Sequence, residues 1–221
     1  MKYLLLVLFI ASISTGCQKT IAEFDSGTDT TKTGGDGSYL PLNEGTYWKY
    51  KDSAFPSEIT TETVLNITKT INGKSYKAVK NESNGIADTG YFLRNGNDYY
   101  FYEYRNISGA IIDVEMLYLK DTATEGVEWT TDAGTVNSFP ARCIGKVVEK
   151  GISITVEGKN YTNVIHTSIQ LQYNLIGSYQ TFAVYDYFVA KGIGIIKISS
   201  LLEFDGVNFS VASNLFDYSI K

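Results

Sequence analysis

The sequence predicts an all-β fold: one strongly curved antiparallel sheet forming a half-open barrel, with a two-sheet β-sandwich as the alternative. Three observations carry this expectation. From Tyr39 to Lys221, apolar and polar residues alternate with period two, and β-branched and aromatic residues are abundant. Turn dipeptides recur between these stretches, and no segment sustains a helical period. With only 3 prolines in 221 residues, strand interiors are free to donate to their ladders.

The first seventeen residues read as an address. Lys2 precedes an apolar run from Tyr3 to Ala11, and Ser14, Thr15 and Gly16 lead into Cys17, the grammar of an export signal. The run is shorter than the roughly 20 residues a spanning helix needs. It resembles a bacterial lipoprotein signal, cut before a cysteine whose sulfur takes diacylglycerol. Ser14 stands where such signals usually carry Leu, with Ile13 one place further out. That resemblance implies a signal peptide over 1–16, a lipidated Cys17, and a membrane partner reached through the lipid. Gln18, where enterobacterial inner-membrane retention uses Asp, points to the outer membrane. Glu23 and Asp25 arrive late for a surface-export signal, so the expectation is the periplasmic face. Residues 17–38 are polar and small, too poor in apolar surface to order themselves. They form a tether with a mean reach of about 25 Å.

Residues 39–221 make a single domain. Asn72-Gly73, Asn95-Gly96, Glu157-Gly158 and Asp205-Gly206 each stand between alternating stretches, so hairpin should follow hairpin in a meander. Pro41 stands at the domain entrance, and Pro56 and Pro140 stand beside strand starts. Gly192 and Gly194 flank Ile193 ahead of an apolar strand, where a sheet can bend or bulge.

Four motifs occur in order along this domain: Pro41-Leu42-x-x-Gly45-x-Tyr47-Trp48-x-Tyr50, Gly126-Val127-Glu128-Trp129, Gly158-Lys159-Asn160-Tyr161-Thr162-Asn163-Val164-Ile165, and Ala190-Lys191-Gly192-Ile193-Gly194-Ile195-Ile196-Lys197. Together they resemble a group of uncharacterised Bacteroidota lipoproteins. The resemblance implies a curved antiparallel sheet similar to the half-barrels of periplasmic lipoprotein carriers, and no particular activity.

Composition narrows function further. With 24 acidic against 19 basic residues and no basic cluster, the chain lacks a phosphate-tracking surface, so nucleic acid is not an expected partner. If Cys17 carries lipid, Cys143 has no disulfide partner, and its apolar neighbours make it a small core residue. The single histidine, His166, shares a strand face with Val164, Ser168 and Gln170, opposite the more apolar Ile165, Thr167, Ile169 and Leu171. It reads as a solvated or cavity-lining residue. Asp113 and Glu115 share a strand face at about 7 Å between Cα atoms, which admits a glycan hydrolase. Like charges on an exposed strand are also ordinary edge protection. No nucleophile elbow, phosphate-cradling loop or metal-ligand spacing is present, so neither enzyme activity nor a cofactor or metal is expected.

Tyrosines remain. Tyr100, Tyr102 and Tyr104 share one strand face and Tyr185 and Tyr187 another. If these rows line the concave side, Tyr102 and Tyr187 should meet in a partly solvated groove that holds an apolar or glycan ligand. Cross-strand aromatic packing is the structural alternative. Three functions follow: non-catalytic ligand binding in a concave face, an accessory subunit docking another envelope protein, and hydrolysis by Asp113 and Glu115.

Overall fold

The computed structural model describes residues 36–107, 110–175, 177–204 and 207–221. The leader, Cys17, most of the tether and the Asp205-Gly206 turn lie outside them. Twelve strands follow in order: β1 (Tyr47–Asp52), β2 (Ile59–Ile71), β3 (Lys74–Ser83), β4 (Ile86–Asn95), β5 (Asp98–Ile107), β6 (Ala110–Lys120), β7 (Glu128–Val136), β8 (Phe139–Val156), β9 (Lys159–Asn174), β10 (Tyr179–Ala190), β11 (Gly194–Phe204) and β12 (Val207–Ser219). Each pairs antiparallel with its neighbours in sequence, and β1 returns to pair with β12.

The fold is therefore all-β, and its one curved antiparallel sheet is an up-and-down meander. The curl runs further than the expected half-open barrel: the sheet closes, and no second layer forms a sandwich. Turn chemistry sets the hairpins. Asn72-Gly73 and Glu157-Gly158 join β2 to β3 and β8 to β9 with both residues at positive φ, the conformation of two-residue turns that match strand twist. Asn84-Gly85 does the same between β3 and β4.

Bulges supply the curvature, because an extra residue on one strand bends it and increases local twist. Register shifts interrupt β1 at Lys49/Tyr50, β2 at Val64/Thr68 and β10 at Phe188/Val189. The last of these faces the start of β11, where the glycine pair was expected to bend the sheet. Gly192 sits in the β10–β11 turn and Gly194 opens β11 at φ 109°. A Cβ on Gly194 would lie 3.2 Å from the Trp48 indole nitrogen, so this backbone passes directly beneath that ring.

Contacts between strands that are not neighbours identify the inner face. The Tyr187 hydroxyl on β10 reaches Met116 Sδ on β6 at 3.3 Å, and the Tyr118 and Tyr187 rings stand 5.3 Å apart. Between β10 and β6 lie three strands, so these side chains meet across the interior. Directly paired residues share a face, which extends the inward set to Trp48, Tyr50, Glu62, Asn81, Phe92, Phe101, Glu103, Cys143 and Ile169. This interior is packed with large side chains, many of them wholly buried.

A second, smaller core lies on the outside of the wall. Ile71, Tyr76 and Tyr102 form a buried cluster with Tyr91, Leu93 and Tyr100 packed against it. The tip of the β2–β3 hairpin supplies Ile71 and Tyr76, beyond the bulge in β2.

Candidate functional site

The tyrosine rows come to lie on opposite sides of the wall. Tyr185 and Tyr187 point inward, whereas Tyr100, Tyr102 and Tyr104 point outward. The expected groove shared by Tyr102 and Tyr187 does not form. Pairing explains why: Tyr102 stands opposite Tyr91 and Glu115, while the inward Met116 stands opposite Phe101. Both rings are largely buried, at 8% and 7% exposure. Tyr187 gives its hydroxyl to Met116. Burial, then the bond and charge of Asp113, push the Tyr102 phenol up to about 12. Of the outward row only Tyr104 is exposed, and Lys74 lies 4.3 Å over the Tyr100 ring.

The two carboxylates are occupied. Glu115 accepts from Lys74 Nζ at 2.6 Å and from the Tyr76 hydroxyl, and Asp113 accepts from Tyr102. His166 faces outward as its alternation predicts, stacked on Phe188 at 4.3 Å and 3.1 Å from Asp186. That contact, with a Ser168 hydrogen bond, holds the Asp186 carboxyl below its ordinary value against burial. Cys143 is fully buried, and desolvation pushes its thiol up to about 12. Among the described residues no group of three or more His, Cys, Asp or Glu is placed to hold a metal ion.

The concave feature of useful size lies at one mouth of the barrel. A groove of about 320 Å³ runs between the segment 36–43 and the strands β2, β3 and β4. Leu40, Leu42, Phe92 and Leu93 give it apolar surface, and Asp36, Asn43, Thr68, Ser75, Lys77 and Arg94 give it hydrogen-bonding groups. The segment is tied down by an Asp36–Arg94 ion pair of 2.7 Å and by the Gly192 N–H donating to the Ser38 carbonyl at 2.7 Å. Residues 36–38, assigned to the tether on composition, thus already contact the barrel.

Behind this groove, inside the barrel, is a smaller cavity walled by Leu40, Trp48, Tyr50, Glu62, Phe92 and Ile195. Leu40 and Phe92 separate the two spaces and line both. The polar tips of the aromatic walls are turned away: the Trp48 indole N–H donates to the Ile193 carbonyl at 2.6 Å and the Tyr50 hydroxyl to the Ile195 carbonyl at 2.9 Å. Glu62 has no hydrogen-bond partner among the described residues, and desolvation raises its carboxyl from 4.5 to about 7.

Comparison with protein families and with curated proteins returns no match. Among solved structures the chain is similar to a protein from Parabacteroides distasonis, provisionally described as a lipoprotein. The TM-score is 0.50 at 9% identity, over 83% of this chain and 99% of that one. At that identity the likeness speaks for the fold.

Sequence reasoning grouped the members of each tyrosine row on one strand face but expected both rows on the concave side, where only Tyr185 and Tyr187 lie, and it missed Glu62. Along β2 the larger apolar residues Ile59, Leu65 and Ile67 alternate with Thr60, Glu62 and Asn66, which suggests that Glu62 faces water. Pairing with Trp48 and Asn81 turns it inward instead.

Proposed function

We propose that this chain is a lipid-anchored envelope protein of the Bacteroidota lipoprotein type, held at the periplasmic face of the outer membrane through Cys17. In this reading its barrel binds a glycan segment without catalysis. The observation that carries the binding reading is the groove at the barrel mouth. Its volume falls within the range of about 300–1,000 Å³ usual for small-molecule sites. Its lining alternates flat apolar surface with hydroxyl, amide and charged groups. A sugar presents the same alternation, with C–H faces to set against Leu42, Leu93 and Phe92 and hydroxyls to meet Asn43, Ser75, Lys77 and Arg94. A purely apolar ligand would leave those polar groups desolvated, at a cost of roughly 1–3 kcal/mol each. Binding is favoured over hydrolysis because Asp113 and Glu115 both lie on the outer wall and are engaged by neighbours, Asp113 by Tyr102 and Glu115 by Lys74 and Tyr76 of the β2–β3 hairpin.

The anchor and the groove are tested separately. Cys17→Ser is expected to move the protein from the membrane to the soluble fraction, and unchanged fractionation rejects the anchor. For the groove, the protein is titrated calorimetrically with maltotetraose and tetragalacturonate. Saturable binding of one of them, weakened at least tenfold by Lys77→Ala combined with Leu42→Ala, is the expected result. Absence of binding by both, or binding indifferent to the double substitution, overturns the groove assignment.

A further inference from the structure

The small cavity behind the groove has a chemistry of its own. Three of its six walls are aromatic, one is a carboxylate, and the remaining two are aliphatic. Hydrogen bonds to the backbone at Ile193 and Ile195 fix Trp48 and Tyr50. Gly194 lets the chain pass under the Trp48 ring. These walls are therefore pre-organised, with ring faces and not polar tips available to an occupant.

The carboxylate here is short of donors. Glu62, a half-buried wall of the cavity, accepts from no described residue. A carboxylate held without a donor costs free energy, and an occupant that donates to it relieves that cost. A cation over aromatic faces gains further attraction from the ring quadrupoles.

We infer that the interior cavity is a binding site for a primary ammonium group, with Glu62 as its counter-ion and Trp48, Tyr50 and Phe92 as its aromatic walls. Size selects among cations. The cavity has a volume of about 10 Å³, room for one water or one –NH3⁺ group and too little for trimethylammonium. Leu40, from the segment outside the ladder, walls the cavity on the side of the mouth. The site is distinct from the groove and stands whether or not the groove takes a glycan.

The test is an NMR titration of the full folded protein at pH 8, following the Trp48 indole N–H. Three probes are used: n-butylammonium, 1-butanol as its neutral counterpart, and tetramethylammonium as an oversized cation. Butylammonium is expected to give a saturable shift, with the other two at least tenfold weaker. Glu62→Gln should weaken butylammonium binding at least tenfold while the amide spectrum stays that of the folded barrel. Tyr104→Ala, on the exposed outer wall, should leave it unchanged. The assignment is overturned if Trp48 shows no saturable shift, if 1-butanol binds as well as butylammonium, or if Glu62→Gln binds it equally.

Discussion

Replacing Glu62 by Gln should stabilise the empty barrel, and by an amount that depends on pH. Desolvation raises the carboxyl from 4.5 to about 7 in the folded state, so the native protein holds this proton more tightly than the unfolded chain does. By linkage, such a group favours the fold while both states are protonated, below about pH 4.5. Stability then falls as pH rises, because the unfolded chain loses its proton first, and the loss is complete above about pH 7. A factor of ten in proton affinity corresponds to about 1.4 kcal/mol. The interval from 4.5 to about 7 therefore amounts to about 3 kcal/mol lost across that window. Gln keeps the shape and has no ionised form. The variant should thus gain up to about 3 kcal/mol over the parent at pH 8, little at pH 4.5, and lose this part of the pH slope. Urea unfolding at pH 4.5, 6, 7 and 8, without any amine in the buffer, reads the difference directly. Equal midpoints at pH 8, or pH profiles that run parallel, would refute the claim that Glu62 is a desolvated, uncompensated carboxyl.

Other sites give sharper mechanical tests. A Cβ on Gly145 would stand 2.5 Å from Trp129 Cε2 and 2.7 Å from Ile169 Cδ1, so Gly145→Ala should destabilise by about 1–3 kcal/mol through overpacking, read as a lower unfolding midpoint. Tyr187→Ala and Tyr102→Ala each empty a packed cluster, and each should cost about 3–5 kcal/mol, the range for truncating large aromatics. Because the two lie on opposite faces, their effects should add in the double variant within a few tenths of a kcal/mol; strong coupling would show that they share one site after all. Burial pushes the Cys143 thiol up to about 12, so a soluble thiol reagent at pH 8 should leave it unlabelled until urea unfolds the chain. Labelling of the folded protein contradicts the packing around it.

Local chemistry made the strands and many turns legible. Asn72-Gly73 and Glu157-Gly158 specify their own backbone conformation and appear where the sequence put them. Which side of a strand faces inward was less legible, since period two divides residues into sets without saying which set is covered. On β5 the set Tyr99, Phe101 and Glu103 contains a charge and looks like the outer one. In the barrel Phe101 and Glu103 point inward, and Glu103 is paired with Arg105. Closure was hidden for a related reason. It depends on the summed bend of bulges such as Val64/Thr68 and Phe188/Val189, and a bulge is a property of two strands in register that neither strand displays alone. The groove is lined on one side by segment 36–43, where Ser38 and Leu40 are buried although Ser38 reads as the end of a solvated spacer.

The seam of the ring sets the order of events in its assembly. Tyr47 stands opposite Ser219 and Asp52 opposite Ser213, so the joint is made between stretches that emerge from synthesis first and last. Closing it requires a loop that takes in nearly the whole domain, and such long-range pairing comes late because its entropy must be met before any contact compensates. Until then β1 has at most β2 beside it, Trp48 and Tyr50 lack the Ile193 and Ile195 carbonyls that hold them, and the barrel is an open ribbon with two bare edges. A domain built this way locks only once its last strand has arrived. After that moment β1 and β12 no longer present an unpaired edge to a neighbouring strand.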